Sequence, residues 1–281
     1  MTLSKQKICS NTIAFAFLCL LAAIFLIPIL LVLLNSFKSR FYISSSPFAM
    51  PNSETFVGFE NYLNGLSSSG FFISFIRSVW VSIASVLVII VCTSMASWFI
   101  VRVKNKFTKA IYFLFAFSMI VPFQMVMYTM TFIVNRISFD NVFGIVFVYL
   151  GFGAGLSVFM FTGFVKAVPL EIEEAAEIDG CNPLQTFFLV VFPILKPTII
   201  TVSILNSMWV WNDYLLPYLI LGTDHKTVPV AIQIAMQGAY GATDYGGFMA
   251  MLVLAIIPIV IFYIASQKYI IKGVISGAVK G

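Results

Sequence analysis

The sequence predicts an all-α membrane protein with six transmembrane helices. Three observations carry this. Of the 281 residues 60% are hydrophobic, only 10% are charged, and charge-poor stretches long enough to cross a bilayer recur along the chain. A soluble domain carries roughly a quarter charged residues. Thirty phenylalanines set against eleven acidic residues cannot all be hidden in one soluble core that still has a wettable surface. Lipid removes the conflict, because it accepts apolar side chains. The net charge of +5 is spread along the chain, mostly beside apolar segments. That placement speaks for membrane topology and against nucleic-acid binding.

A hydrocarbon core about 30 Å thick needs about 20 apolar residues in a helix. Ile13–Leu34 is uncharged and follows Lys5 and Lys7. It is too long for a signal peptide and lacks a small-residue cleavage site, so it reads as an uncleaved first span. Ser78–Val101 is the second. Ala110–Val134 is the third, with Pro122 as a kink. Val142–Val165 is the fourth, and its Gly151-x-x-x-Gly155 spacing predicts close helix packing. Thr198–Leu221, interrupted by Asp213 and Pro217, is the fifth. Tyr245–Gln267 is the sixth.

With the N-terminus inside, Lys5, Lys7, Arg102, Lys104, Lys106, Lys109, Lys166, Lys196, Lys268, Lys272 and Lys280 face the cytosol. Lys38, Arg40, Arg77, Arg136 and Lys226 face outward. Eleven against five predicts both termini inside, in a cytoplasmic membrane. The organisation expected is a first helix and outer loop (1–70), a permease-like core (71–267) holding an inner loop at 166–197, and a cytosolic tail (268–281). The outer segments are 35–77 and the glycine-rich 222–244.

Several chemistries are excluded. Cys9, Cys19, Cys92 and Cys181 show no metal-ligand spacing and no disulfide pattern. His225 is the single histidine, so a His triad or multi-His metal centre has no residues to draw on. No G-x-x-x-x-G-K-[ST] motif is present to cradle phosphates. The chain is therefore expected to bind no cofactor or metal and to perform no covalent catalysis.

The inner loop is the most informative stretch. Pro169 suits a helix start, and Glu171, Glu173 and Glu174 favour its positive end. Gly180 suits the left-handed residue that ends it. Asn182 and Pro183 open a second helix, and Pro193 and Pro197 close it. The first helix carries five carboxylates from Glu171 to Asp179, with Ala175 and Ala176 as a small flat patch. The second offers Phe187, Phe188, Val191 and Phe192. Such a tip suits a docking knob for a soluble partner with a basic-rimmed cleft; a solvated amphipathic loop is the plainer alternative.

Glu174-Ala175-Ala176-x-x-Asp179-Gly180, followed ten residues later by Val190-x-Phe192-Pro193, resembles the EAA loop of ABC importer permeases. Val190 and Phe192 depart mildly from the family's Ile and Leu. The resemblance implies the type I ABC importer permease fold. It also implies a coupling helix, carried by Glu174, Ala175, Ala176, Asp179, Gly180 and Pro193, that sits in a separate ATP-hydrolysing subunit. ATP and Mg2+ would then be used by that partner.

Within the spans, a charged carboxylate costs about 2.5–3.5 kcal/mol, so it is expected to face a cavity. Asp213 is such a residue, and Asn206 lies seven positions earlier on the same face. Trp209, Trp211 and Asn212 flank it, and aromatic faces beside amide and carboxylate groups suit a sugar. An interfacial belt explains the tryptophans equally simply, and a helix–helix hydrogen bond explains Asn206. Gln124, just after Pro122, lines a pathway or glues helices.

Trp211-Asn212-Asp213-Tyr-Leu-Leu-Pro217 resembles the W-N-[DE]-F-L-x-P stretch of carbohydrate-uptake permeases of the maltose and oligosaccharide type. Similar too are Pro122-Phe123-Gln124, Gly58-Phe-Glu-Asn-Tyr62, Thr227-Val-Pro229 and the Lys272–Gly281 tail. This implies several partners: a second permease in a heterodimer, two ATPase subunits, and an extracytoplasmic sugar-binding protein. Thr227, Pro229, Gly238 and Tyr240 would touch the binding protein, and Asp213 and its neighbours would line a gate. An ion-coupled secondary transporter would need more intramembrane ionisable groups than Asp213. A membrane-embedded enzyme would need a second carboxylate or an intramembrane histidine.

Overall fold

A computed structural model describes residues 2–236 and 243–278. They are helical, and among the described residues the single β feature is an isolated bridge between Lys38 and Phe56. Two compact units emerge: Met1–Phe71 with Ile232–Ile257, and Phe72–Ala231 with Pro258–Gly281. The return of 232–257 to the N-terminal unit is not visible in the composition.

In the first unit, α1 (Thr2–Asn35) presents an apolar surface of which none is buried across its most hydrophobic window. The segment that follows α1 is built rather than loose. It contains α2 (Arg40–Ser45) and α3 (Glu60–Ser69). Gly58 takes φ +57°, a left-handed value that suits glycine. Asn61 then donates to the carbonyls of Ser36 and Lys38 at 2.8 Å each. The Tyr62 hydroxyl meets Ser36 Oγ at 2.7 Å, and Phe37 packs against Phe56, Phe59 and Tyr62. The Gly58–Tyr62 stretch is thus the pin that closes this segment. Lys38 is fully buried, its ammonium donating to the Ser46 carbonyl at 2.9 Å. Gly65 lets α3 approach the start of α14 (Tyr245–Ala278): a Cβ there would lie 2.8 Å from Met251 Cε. α14 passes Gln267 without a break and runs through residues assigned from sequence to a separate tail.

The second unit is organised around α7 (Gly144–Val165), whose Ile145, Tyr149, Val158, Phe161 and Val165 are completely buried. It packs between α4 (Phe71–Arg102), α5 (Lys106–Ser118) and α11 (Lys196–Asn212). A Cβ on Gly153 would lie 2.7 Å from Ile89 and 2.8 Å from Asn206; one on Gly155 would lie 2.8 Å from the Phe115 carbonyl. Gly151 has nothing within 4 Å. The close packing read from Gly151-x-x-x-Gly155 therefore belongs to Gly153 and Gly155.

Among the described residues four helices are long and apolar enough to cross a membrane, and two bent pairs, Lys106–Ser118 with Phe123–Arg136 and Pro183–Ile194 with Lys196–Asn212, bring the number to six if each is one span. The third span is the main correction. It is not a kinked rod but two short helices, α5 and α6 (Phe123–Arg136), that meet at 108°. Pro122 has ψ 137°, caps α6 without an N–H to donate, and biases Val121 away from helix. The fifth span does break at Asp213, between α11 and α12 (Leu215–Leu221). Pro217 lies within α12 and does not break it.

Gly155→Val should lower the thermal midpoint of the detergent-purified chain, because the backbone carbonyl of Phe115 cannot give way. Overpacking of this kind costs about 1–3 kcal/mol. Gly151→Ala should leave the midpoint unchanged. Equal midpoints for both variants would refute this account of the α5–α7 contact.

Candidate functional site

The loop 166–197 folds as a helix–turn–helix. Helix α8 (Leu170–Ile178) follows Pro169. Gly180 takes φ +86°. Its amide donates to Glu177 O at 3.0 Å, and that of Cys181 to Ala176 O at 3.0 Å. This pair of reversed bonds satisfies the last carbonyls of α8 and turns the chain. Asn182 and Gln185 then form a reciprocal cap, with side-chain bonds of 3.0 and 2.9 Å, over Pro183 in the first turn. α9 (Pro183–Gln185), a π-helical turn (Thr186–Val191) and α10 (Phe192–Ile194) make one rod. Pro193 does not close it. The wider π turn relieves the clash of the proline ring with the carbonyl four residues back. The rod ends at Leu195, where it bends 77° into α11.

The knob is two-sided. Glu174, Ala175 and Ile178 are exposed, Ile178 at 86%. Ala176 is 7% exposed and Glu173 4%. The flat patch expected from Ala175 and Ala176 is therefore narrower, because Ala176 turns inward. Phe187 and Val191 are fully buried in the main core, leaving Phe188 and Leu189 at the surface.

Glu173 is not part of an open acidic surface. It accepts from Arg102 Nη2 at 2.6 Å, Arg102 Nε at 2.9 Å and Trp98 Nε1 at 2.9 Å. Arg102 also donates to the Val168 carbonyl at 3.0 Å, and the Trp98 ring lies 5.5 Å from that of Phe187. Thus the end of α4, the link after α7, helix α8 and the π turn converge on one carboxylate. Sequence reading assigned Arg102 to topology and Glu173 to the knob. The available signal was the spacing of Glu173 and Ala176, which puts them on one helical face.

Around Asp213 the backbone leaves the helix, with φ −75° and ψ 121°. One carboxylate oxygen accepts from the amides of Leu215 (3.0 Å) and Leu216 (3.3 Å), capping α12. The other accepts from the Tyr149 hydroxyl at 3.1 Å. Trp209 crosses the Tyr149 ring edge-on at 5.4 Å, and Trp211 crosses Phe75 at 5.7 Å. Asn206 is buried, donating to Ser157 Oγ at 3.2 Å and to the Val202 carbonyl at 2.9 Å. Its amide joins α11 to α7, which is the helix-bonding role. Asn212 is exposed and bonds back to Met208 O at 2.6 Å. Gln124 is exposed near the α5–α6 break and joins no polar cluster. Tyr149, the residue that engages Asp213, carried no sequence signal of its own. Trp211 also lines a mostly apolar groove of about 340 Å³ with Ser82, Ser203 and Ser207.

In the outer segment before α13 (Val228–Ala235), Thr227 is buried and Pro229 half-buried. The Val228 amide donates to Ser78 Oγ at 2.8 Å, and Arg77 Nη1 to the Lys226 carbonyl at 2.9 Å. This stretch is anchored to α4 through Lys226 and Val228, and Thr227 lies buried between them. Gly238 and Tyr240 lie outside the described residues. No group of three metal-ligating side chains occurs among the described residues.

Residues 89–276 match the family described as the binding-protein-dependent transport system inner membrane component. The chain is 34% identical to the "Probable starch degradation products transport system permease protein AmyC" of Thermoanaerobacterium thermosulfurigenes, over 92% of this chain and 93% of that one. It is 36% identical to the multiple sugar-binding transport system permease MsmG of Streptococcus mutans, over 91% and 92%. It is 32% identical to the melibiose/raffinose/stachyose import permease MelC of Bacillus subtilis, over 91% of each. A crystal structure of a bacterial ABC transporter involved in alginate import contains a chain of the same fold. The TM-score is 0.74 at 20% identity, covering 92% of this chain and 95% of that one.

Glu173→Ala strands the Arg102 guanidinium and the Trp98 indole. It should destabilise the purified chain by about 2–4 kcal/mol, read as a lowered thermal midpoint. Glu174→Ala, one residue away but exposed, should move stability by less than about 0.5 kcal/mol. Indistinguishable midpoints for the two would remove the clamp.

Proposed function

Since the chain belongs to the inner-membrane components of binding-protein-dependent transport systems, we propose that it is the permease subunit of an ATP-driven importer for a sugar or oligosaccharide. The observation that carries the coupling part is the α8 knob. Its exposed face offers Glu174, Ala175 and Ile178 to a partner, while Glu173 ties its inner face to α4. A push received on the exposed face passes through a carboxylate–guanidinium bond into a helix of 32 residues. Buried ion pairs resist being pulled apart, since each partner left alone is a desolvated charge. The partner is a cytosolic ATPase that uses ATP and Mg2+. Two ATPase subunits and a second permease complete the assembly, and a binding protein delivers sugar from outside. Alternating access follows when the two knobs move with the ATPase pair.

Sugar as cargo is supported by the named substrates of the relatives and by the aromatic and polar residues around Trp209, Trp211 and Asp213. Orientation with both termini in the cytosol is supported by the eleven-to-five division of basic residues. Asp213 acts at the α11–α12 joint, where it sets the angle of a gate. An ion-coupled carrier is disfavoured because both of its carboxylate oxygens are already engaged.

In reconstituted complexes, Glu174→Lys and Gly180→Arg should abolish ATP-dependent sugar uptake while the chain still inserts. Gly180 needs its positive φ, and arginine there strains the turn. Cysteine at Ala175 should crosslink to the ATPase. Uptake at the normal rate in both variants, with no crosslink, would overturn the coupling role. Asp213→Asn keeps a carbonyl to cap α12, whereas Asp213→Ala does not. The alanine variant should lose at least about tenfold in uptake, a barrier or population change of about 1.4 kcal/mol, and the asparagine variant less. Equal, unimpaired uptake by both would dismiss the gate.

A further inference from the structure

The second unit contains a cavity of about 970 Å³ that adjoins the knob at Leu170 and Arg102 and lies apart from its exposed face and from the Asp213 joint. Its polar wall carries Arg102, Lys104, Lys106, Lys109 and Lys166. Arg102 is neutralised by Glu173. The four lysines have no carboxylate within ion-pairing distance among the described residues. Lys106 and Lys109 lie in the first turn of α5, the positive end of the helix dipole, where a cation is disfavoured. Lys166 is drawn only to a ring, its ammonium 5.7 Å from the centre of Tyr112. Four exposed ammonium groups without carboxylate partners and a helix N-terminus border one concavity, and their summed field favours an anion there.

The remaining wall decides which anion. Ile100, Val101, Tyr112 and Thr162 belong to the last turns of α4 and α7 and to α5, at the end of apolar segments. Next to the lining residue Tyr112, α5 exposes Phe113 at 72%. A phosphate held by the lysines would sit at the hydrocarbon boundary, with an apolar surface continuing away from it. That is the shape of a phospholipid: an anionic headgroup with acyl chains attached. Juxtamembrane lysines contribute additively to binding of anionic lipid.

We propose that this pocket is a binding site for the headgroup of an anionic phospholipid such as phosphatidylglycerol. Only the leaflet that supplies the lipid, the inner one, rests on the orientation proposed above. The pocket is a property of the chain, so binding in detergent tests the site separately from transport.

The test is native mass spectrometry of the full chain in neutral detergent, alone and assembled with its partner subunits, given equal phosphatidylglycerol and phosphatidylcholine. The wild type should retain phosphatidylglycerol selectively in both states. Lys104→Gln/Lys109→Gln/Lys166→Gln should lose that preference by about tenfold or more, with an unchanged thermal midpoint. Lys166→Arg, which keeps the charge, should retain it. Excess inorganic phosphate should not displace the lipid. Undiminished selectivity in the triple variant overturns the proposal. Complete displacement by phosphate overturns the lipid assignment in favour of a free-anion site. Loss of lipid on assembly overturns it in favour of an acidic protein surface.

Discussion

A carboxylate placed where it can receive three N–H groups holds the mechanical part of this molecule together. Glu173 takes two donors from Arg102 and one from Trp98. Those side chains stand in the last turns of α4. Without the clamp, α8 would be a nine-residue helix attached by its ends, too short to be stable by itself. With it, the loop becomes a rigid extension of the membrane helices. The apolar side reinforces this, because Phe187 and Val191 of the next rod sink into the same core as Phe161, Val165 and Leu195. The opposite face of α8 takes no part in this packing and leaves Glu174, Ala175 and Ile178 exposed.

Much of this was legible in the sequence, and the limits follow from range. Short-range signals held well. The Pro169 start, the glycine turn at 180 and the Asn182–Pro183 cap are decided within four residues, and each forms as expected. Long-range pairing was not legible. Nothing near Tyr149 in the chain announces Asp213, 64 residues on, and nothing near Ser157 announces Asn206. Exposure on a short helix was half legible. Glu173 and Glu174 are chemically alike, and only the distant Arg102 decides which one is buried. Pro122 marked a break, but proline alone does not set an angle. The 108° turn depends on α5 packing against α7 through Gly155.

The two breaks in the bilayer-spanning part obey one rule. Backbone groups freed from a helix in an apolar medium must find partners nearby. At Asp213 the side chain itself supplies them by accepting the Leu215 and Leu216 amides. The proposed gate is therefore inexpensive to hold open as a joint: the residue that interrupts the helix also heals it. At Pro122 the missing N–H removes one group that would have needed a partner.

Lys38 counts as an outward cation when the chain is read as a string, yet in the folded protein its ammonium is sealed under the Ser46 carbonyl. A nascent chain threading into a bilayer still displays that charge; the finished molecule does not. The asymmetry that guides insertion and the asymmetry felt afterwards by ions and approaching proteins are therefore different quantities. Amine-reactive reagents applied to the outer surface would map Lys226, which is only half-buried, and pass over Lys38.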